Sequence, residues 1–234
     1  MIGSSLWRRL AGRSASDGLS ALAHDVRREG LTYLSSEKLR RLEQALASTS
    51  GVPGDYAEFG VALGGSAILI ASAAAGRRFH GFDVFGMIPP PTSDKDDRRS
   101  KERYETIEAG ASEGIGGELY YGYREDLLAE VAASFARRGL TVGEGGVWLH
   151  KGLFEETWPV AGVERLAFAH IDCDWYDPVA YCLAAVDAAI APGGAILIDD
   201  YHDYGGCRTA VDEFLARSAD YVFEDGPNPI LRRS

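Results

Sequence analysis

Short apolar runs alternate with longer amphipathic segments along most of the chain. Residues 21–47 have the apolar spacing of helices, interrupted at "EGLTYLSS", where Ser35 or Ser36 is a good N-cap for the second helix. After residue 50 the pattern changes to apolar runs of strand length, each followed by a helical segment. The pattern therefore predicts an N-terminal helical extension over residues 1–50, which could act as a lid, and an α/β domain over residues 51–234.

The α/β domain is predicted to be a doubly wound, mostly parallel sheet, because strands separated by helices pair in parallel and are covered on both faces. The predicted strands cover residues 56–61, 78–85, 146–152, 165–174, 195–201 and, at the edge, 221–226. The predicted helices cover residues 66–76, 101–110, 124–139, 177–190 and 207–218, with a helical turn at 154–159. Residues 191–194, "APGG", have turn composition, and the proline-rich segment from Met87 to Arg99 is the candidate mobile insertion.

Composition narrows the class of partner. A chain of 234 residues with a net charge of −11 and a pI near 4.9 lacks the basic face that nucleic acids or anionic membranes require, so a small molecule is expected. The positively charged start has no signal-peptide apolar segment, no apolar run approaches the length of a membrane span, and a cytoplasmic protein is expected. Cys173, Cys182 and Cys207 lack metal-binding spacing and are interpreted as buried small side chains in a reducing compartment.

A glycine-rich turn, "EFGVALGGS", follows the first predicted strand. Gly60, Gly64 and Gly65 would let a ligand approach the backbone closely, and Ser66 could cap the following helix. The spacing does not match the G-x-G-x-x-G fingerprint of dinucleotide-binding proteins. The turn therefore predicts a nucleoside ligand of a different kind.

Two carboxylates beside this turn indicate which ligand it is. Glu58 would repel a diphosphate but fits a cationic group, such as the ammonium of an amino acid joined to a nucleoside. Asp83 follows the second predicted strand, at about the interval from the glycines at which an acidic residue accepts both hydroxyls of a ribose. Together with the glycines, these residues favour S-adenosylmethionine.

Carboxylates also follow two later predicted strands, in "HIDCDWYDP" and "AILIDDYHDYGG". Because parallel strands end at the same edge of a sheet, Asp172, Asp199 and Asp200 are expected to lie together. They would repel one another without a cation, and such carboxylates are the ligands that Mg²⁺ prefers, so a divalent metal is predicted. Asp174 would point to the same side as Asp172 if the backbone stayed extended, and it is the candidate general base for a hydroxyl acceptor.

The side chains around the carboxylates are less informative. His170 and His202 flank the two segments and are interpreted as packed or solvated residues rather than as bases or ligands. Several aromatic residues could line an acceptor pocket, although a position in the core or at a rim is the simpler interpretation for each: Trp148, Trp158, Trp175, Tyr176 and Tyr201.

Six segments taken in order resemble the macrocin-type O-methyltransferases, which modify sugars and natural products with S-adenosylmethionine and a divalent metal. The segments are "GLTYLSSEKLRRL", "GDYAEFGVALGGSA", "GFDVFGMIPPP", "KGLFEETWP", "HIDCDWYDP" and "ILIDDYHDYGGCRTAVDEF". The resemblance extends from about Gly30 to Phe214. One departure is "VFGMIPPPTSDKDD", where many members have a shorter turn beside the substrate mouth.

The resemblance implies a Rossmann-like class I methyltransferase fold and a role for each candidate residue. It surrounds the methionine part of the cofactor with Glu58, Gly60, Gly64 and Ser66. It assigns Asp83 to the ribose and Lys151 and Gly152 to the border of the adenine. Asp172 is also expected to bind the cofactor. It also assigns the metal to Asp172, Asp199 and Asp200 and the base to Asp174.

Other functions remain open at this point. A metal-dependent glycosyltransferase could use "DCD" to hold a nucleotide sugar, and a non-catalytic nucleoside-binding module would keep the glycines without needing Asp174. A nicotinamide-dependent reductase is less consistent with the glycine spacing. For the methyltransferase, the expected acceptor is a hydroxyl of a glycosylated or phenolic small molecule. The amphipathic N-terminal helices would allow a homodimer.

Overall fold

The fold was analysed in a computed structural model that describes residues 18–74 and 76–234. The first 17 residues of the predicted extension therefore lie outside the described residues. The extension continues as two helices, α1 (Ala21–Arg28) and α2 (Ser36–Ser48). Ser35 is the N-cap of α2, since its hydroxyl accepts a hydrogen bond from the backbone amide of Lys38 at 3.2 Å.

In the described part of the chain, seven strands form one sheet in the order β3-β2-β1-β4-β5-β7-β6. Strands β1 to β5 pair in parallel, whereas β7 is antiparallel to both β5 and β6. Their bounds are Asp55–Phe59 (β1), Phe79–Asp83 (β2), Val147–Lys151 (β3), Leu166–Ile171 (β4), Ile190–Ile198 (β5), Tyr221–Glu224 (β6) and Ile230–Arg233 (β7). The predicted mostly parallel, doubly wound sheet is confirmed.

Helices cover both faces of this sheet. The remaining helices are α3 (Gly65–Ala73), α4 (Arg98–Glu108), α5 (Leu127–Ala136), α6 (Phe154–Thr157), α7 (Tyr176–Ala189) and α8 (Gly205–Arg217). On one face a single apolar core joins α1 and α2 to α3 and α5, with Val26, Leu39 and Ile68 buried together in it. On the other face α7 and α8 form a second core with β4 and β5. The N-terminal helices thus share a core with the sheet domain.

Two predictions about the C-terminal part were wrong. Residues 191–194 were predicted to be a turn, but they lie inside β5, where the register with β4 shifts between the pairs Leu166–Ile190 and Phe168–Ala195. Extra residues on β5 produce this irregularity. Because these residues, "APGG", have the composition of a turn, the sequence pattern does not show that the strand continues through them. Strand β7 was not predicted, because four residues at the end of the chain are too few to show alternation; β7 separates β6 from β5.

The cysteines and the lengths of the helices were also predicted from the sequence. The three cysteines are buried and free, as predicted. Across residues 18–74 and 76–234, none of the helices has both the length and the apolarity that crossing a membrane requires.

Candidate active site

Four neighbouring strands end beside one another and bring the predicted carboxylates to one edge of the sheet. Backbone hydrogen bonds tie each strand end to the next: Gly60 N to Phe82 O, Asp172 N to Phe59 O, and Asp199 N to Ile171 O, each at 2.9 Å. A cavity of about 710 Å³ opens at this edge. The predicted site residues on its wall are Gly60, Asp83, Gly152, Asp172, Asp174, Asp199 and Asp200.

The glycine turn is shaped by two close backbone approaches. A Cβ atom on Gly60 would lie 1.8 Å from the backbone oxygen of Asp172, so only glycine allows β1 and β4 to end this close together. At the start of α3, the amide of Gly65 donates to the backbone oxygen of Leu31 at 2.9 Å. A phosphate at a helix N-terminus would need such an amide, and here the N-terminal extension already uses it. This contact agrees with the mismatch to the dinucleotide fingerprint.

Asp83 holds the glycine turn through three backbone amides. Its carboxylate accepts hydrogen bonds from Val61 at 2.8 Å, Ala62 at 2.9 Å and Phe85 at 2.6 Å. Ala62 and Phe85 have φ angles of 45° and 48°, a left-handed backbone that non-glycine residues rarely adopt. Burial raises the pKa of Asp83 although the three amides oppose this shift. Asp83 therefore supports the turn from the cavity wall, and its contact with a ribose stays a prediction.

Glu58 is fully buried and lies behind the wall, where it pairs with a histidine that was interpreted as merely packed. His170 Nδ1 lies 2.8 Å from Glu58 Oε1, and His170 Nε2 lies 3.9 Å from Asp199 Oδ1. Burial opposes protonation of this imidazole, but Asp199 and Glu58 outweigh it and raise the pKa of His170 to about 9. A buried ion pair thus connects the first strand to the carboxylates of the fifth.

Four predicted cofactor-binding residues do not lie on the cavity wall: Glu58, Gly64, Ser66 and Lys151. The prediction that Ser66 caps α3 was wrong. Gly64, with φ 87°, occupies the N-cap position, and Ser66 lies in the first turn of the helix, buried and close to Glu58. Lys151 ends β3 with its side chain exposed. Direct contact of these four residues with a cofactor stays a prediction.

The predicted metal ligands lie together. Asp172, Asp199 and Asp200 each offer a carboxylate oxygen, and these oxygens lie within 4.8 Å of one another. Ligand oxygens of an octahedral Mg²⁺ are about 3 Å apart when adjacent and about 4 Å apart when opposite, so the three carboxylates would draw closer together on a cation. Asp199 Oδ1 is buried and has no hydrogen-bond partner among the described residues. The donor set fits a divalent metal, and Asp199 Oδ1, 3.9 Å from His170 Nε2, makes, among the described residues, no hydrogen bond that a cation would have to displace.

Crowding determines the electrostatics of this carboxylate cluster, defined here as Asp172, Asp199 and Asp200. Burial and then the neighbouring carboxylates raise the pKa of Asp172 and Asp200 well above the usual range. Burial acts in the same direction on Asp199, but His170 and Lys38 outweigh it and lower the pKa of that carboxyl. The cluster therefore contains one firmly ionised aspartate and two that hold protons easily when no metal is present.

Sequence analysis missed Lys38, which reaches the cluster from α2. Its Nζ lies 2.8 Å from Asp199 Oδ2 and 2.8 Å from Asp203 Oδ2. The two aspartates outweigh the effect of burial and raise the pKa of Lys38. A lysine on the polar side of an amphipathic helix gives no signal of such a contact, because it depends on where the helix packs.

Asp174 lies on the cavity wall, but the argument that placed it there was wrong. Strand β4 ends at Ile171, and Asp174 has a left-handed φ of 59° rather than an extended backbone. Its amide donates to Asp200 Oδ2 at 3.1 Å, which fixes the turn against the cluster. Burial raises the pKa of Asp174 to about 7, although Arg103 opposes the shift. A carboxyl with this pKa can accept a proton near neutrality.

Aromatic side chains form a large part of the cavity wall. Of the aromatic residues named from the sequence, only Trp175 lies on this wall. The other aromatic side chains there were not predicted, and they are Tyr33, Tyr120, Tyr121, Tyr204 and Phe154. His202 is not on the wall and lies 3.1 Å from the backbone oxygen of Gly226.

The segment 86–97, called here the roof loop, lines the cavity with Gly86, Ile88, Pro89, Pro90 and Thr92. The sequence marked this region as a candidate mobile insertion, but hydrogen bonds hold it at several points. Trp175 Nε1 donates to Pro89 O at 2.9 Å, the Tyr176 amide to Asp96 Oδ1 at 2.8 Å, and the Gly205 amide to Asp97 Oδ2 at 2.9 Å. The roof loop is therefore anchored to the start of both α7 and α8.

The solved structure of the O-methyltransferase NovP has the same fold, with a TM-score of 0.70, 25% identity, and coverage of 98% of this chain and 96% of that one. The fold and the site define a class I, Rossmann-like O-methyltransferase. A model of the macrocin-O-methyltransferase (TylF) family matches residues 8–222, and the chain belongs to that family. The resemblance inferred from the six sequence segments is confirmed.

Two curated enzymes are similar over most of their length. Mycinamicin III 3''-O-methyltransferase of Micromonospora griseorubida is 31% identical over 217 residues, which cover 87% of this chain and 78% of that enzyme. The 8-demethyl-8-(2,3-dimethoxy-alpha-L-rhamnosyl)-tetracenomycin-C 4'-O-methyltransferase of Streptomyces olivaceus is 29% identical over 197 residues, or 80% of this chain and 68% of that enzyme. The relatives' names support O-methylation as the activity.

Proposed function

We propose that the protein transfers a methyl group from S-adenosylmethionine to a hydroxyl of a sugar-bearing or phenolic natural product, with the help of a divalent cation such as Mg²⁺. The observation that carries this proposal is the single cavity that connects the glycine turn to the carboxylate cluster. The names of the two curated relatives, which place the acceptor hydroxyl on glycosylated compounds, support the acceptor class.

The methyl donor is assigned to the part of the cavity lined by Gly60, Asp83 and Gly152. A carboxylate has about four lone-pair sites, so Asp83, which already accepts from three amides, keeps one site on Oδ1 for a ribose hydroxyl. Glu58 supplies negative charge from behind the wall, which suits the cationic methionine part. Gly64, Ser66, Lys151 and the contact of Asp172 with the cofactor belong to the same proposal.

At the other end, Asp172, Asp199 and Asp200 would hold the cation. Bound there, a divalent metal lowers the pKa of an acceptor hydroxyl and orients its oxygen. Asp174 lies on the same wall and would take the hydroxyl proton as general base, a role that suits its pKa of about 7. The roof loop and the tyrosines would surround the acceptor, and the N-terminal extension, through Leu34 and Lys38 on the wall, would act as a lid.

Calorimetric titration tests the ligand assignment. The full chain is titrated with S-adenosylhomocysteine, UDP and NADH, each with and without Mg²⁺. Only S-adenosylhomocysteine is expected to bind, because the Gly65 amide at the start of α3 is already bound to Leu31 and the turn lacks the dinucleotide fingerprint. Mg²⁺-dependent binding of UDP would instead identify a glycosyltransferase that uses Asp172 and Asp174 as its metal-binding pair.

A further inference from the structure

The ammonium of Lys38 makes three contacts at the edge of the carboxylate cluster. Besides the two aspartate contacts at 2.8 Å, Nζ donates to the backbone oxygen of Asp199 at 3.0 Å. A lysine ammonium has three donors, so all of them are engaged. The side chain is only 17% exposed. These contacts place a fixed positive charge against one candidate metal ligand.

The position of Lys38 is fixed by its own helix as well as by its partners. Ser35 caps α2 through the amide of Lys38, and Asn228, which is fully buried, donates from Nδ2 to the backbone oxygen of Lys38 at 3.3 Å. The first turn of α2 is thus held between its cap, the segment before β7 and the carboxylate cluster. These contacts hold the backbone of Lys38, while the three contacts of Nζ hold the ammonium itself at Asp199.

We infer that Lys38 is an internal counter-ion that competes with the divalent metal for the carboxylate cluster. This inference rests on the proposed function, because it concerns the cation proposed there. Without metal, Lys38 neutralises Asp199 and stabilises a group of buried carboxylates. With metal bound, the ammonium and the divalent cation would repel each other, since both would approach oxygens of the same carboxylate. Lys38 therefore loosens the metal while it docks the N-terminal extension.

Removal of the charge should separate these two effects. Lys38→Met, and Lys38→Gln as a more polar second variant, are expected to unfold at a lower temperature than the parent in EDTA. Both should bind Mg²⁺ about threefold to tenfold more tightly and gain more thermal stability from it, because the repulsion has gone. Lys38→Arg keeps the charge and should retain an affinity near that of the parent.

Arg41→Met provides the matched control on the same helix. Arg41 Nη2 donates to the backbone oxygens of Glu224 and Asp225, at 2.8 and 2.9 Å, and does not contact the carboxylate cluster. Its loss should lower stability with no change in Mg²⁺ affinity. The measurements are calorimetric Mg²⁺ titration and thermal unfolding of the full chain with and without Mg²⁺.

The outcomes distinguish the inference from the proposal beneath it. If the parent binds Mg²⁺ and the Met and Gln variants bind it equally or more weakly, the inference is overturned while the proposed metal site stands. An increased affinity that appears in Arg41→Met as well would also overturn it, because helix docking would then be the cause. If neither the parent nor any variant binds Mg²⁺, the metal proposal fails and the competition fails with it.

Discussion

At the residue scale, Asp172 and Asp174 are separated by a single cysteine but have different surroundings. Asp172 follows β4 directly, contacts Gly60 through its backbone and belongs to the carboxylate cluster. Asp174 lies beyond it on a left-handed turn that faces the same cavity. The proposed function divides the chemistry between the two residues, with Asp172 as ligand and Asp174 as base.

Conversion of each aspartate to asparagine tests this division. Asp172→Asn should weaken Mg²⁺ binding and be partly rescued by excess metal, because an amide oxygen still coordinates but carries no charge. Asp174→Asn should keep metal and S-adenosylhomocysteine affinity near the parental values and lower the rate of methyl transfer by about 10²-fold or more. The measurements are single-turnover rates with a competent acceptor and calorimetric metal affinities.

Asparagine is close in size and shape to aspartate at both positions. At position 174 it also tolerates the left-handed backbone, so the turn should be preserved. Thermal unfolding of both variants serves as the control for folding. Recovery of the Asp174→Asn rate at high metal concentration, or a parental rate in either variant, would contradict the assigned roles.

At the scale of elements, the roof loop ends in two adjacent aspartates with opposite electrostatic environments. Asp97 is the N-cap of α4: its Oδ1 accepts from the amide and the hydroxyl of Ser100 at 2.8 Å each, and its Oδ2 accepts from Gly205. Asp96 is only 4% exposed, and its Oδ2 has no hydrogen-bond partner among the residues that the structure describes. Burial raises the pKa of Asp96, whereas Ser100 and Gly205 outweigh burial and lower the pKa of Asp97.

Substitution of these two residues should therefore affect stability differently. Asp97→Ala is expected to lower the free energy of unfolding by about 1 to 2 kcal/mol, the usual effect of a lost helix cap. Asp96→Asn should leave it unchanged or raise it slightly, since the amide still accepts from Tyr176 and removes a buried charge. Urea unfolding of both variants is the measurement. Equal decreases in the free energy of unfolding would contradict the prediction, because the helix cap would then not be the cause of the decrease.

At the scale of the whole molecule, the metal-free protein concentrates raised carboxyl pKa values at one edge of its sheet. The pKa of Asp174 is raised to about 7, those of Asp172 and Asp200 are raised well above the usual range, and the pKa of His170 is raised to about 9. Each raised pKa means that the folded protein binds more protons than the unfolded chain does. Their contribution to stability is present at low pH and is lost as the pH rises through these values.

The unfolding temperature measured in EDTA should therefore fall from about pH 4, the ordinary value of an aspartate, to about pH 9, the raised pKa of His170. In Mg²⁺ the slope should flatten, because a cation at the cluster takes the place of the bound protons. Thermal unfolding across this range in both buffers is the measurement. The Asp174→Asn variant should lose the part of the slope between about pH 4 and about pH 7, and identical slopes with and without Mg²⁺ would argue against a metal at the cluster.

The sequence was sufficient where position along a strand decided the outcome. Asp172, Asp199 and Asp200 could be placed together because parallel strands end at one edge, and this argument needs no knowledge of packing. Lys38 could not be placed, since its contact with Asp199 spans 161 residues and depends on how α2 docks on the sheet. The roof loop was misjudged for a similar reason: its anchors lie at distant helices, α7 and α8, and composition does not reveal them.

The left-handed backbone at Asp174 also limits how this position can vary among related chains. At a φ of 59°, β-branched and bulky residues are strained, whereas aspartate, asparagine and glycine are accommodated. A chain that drifts away from aspartate here would therefore accumulate asparagine or glycine and keep both the turn and the three carboxylates of the cluster. Such a relative would still bind a cation but would lack the proposed base. The residue at this one position would thus separate active enzymes from inactive, ligand-binding descendants of the same fold.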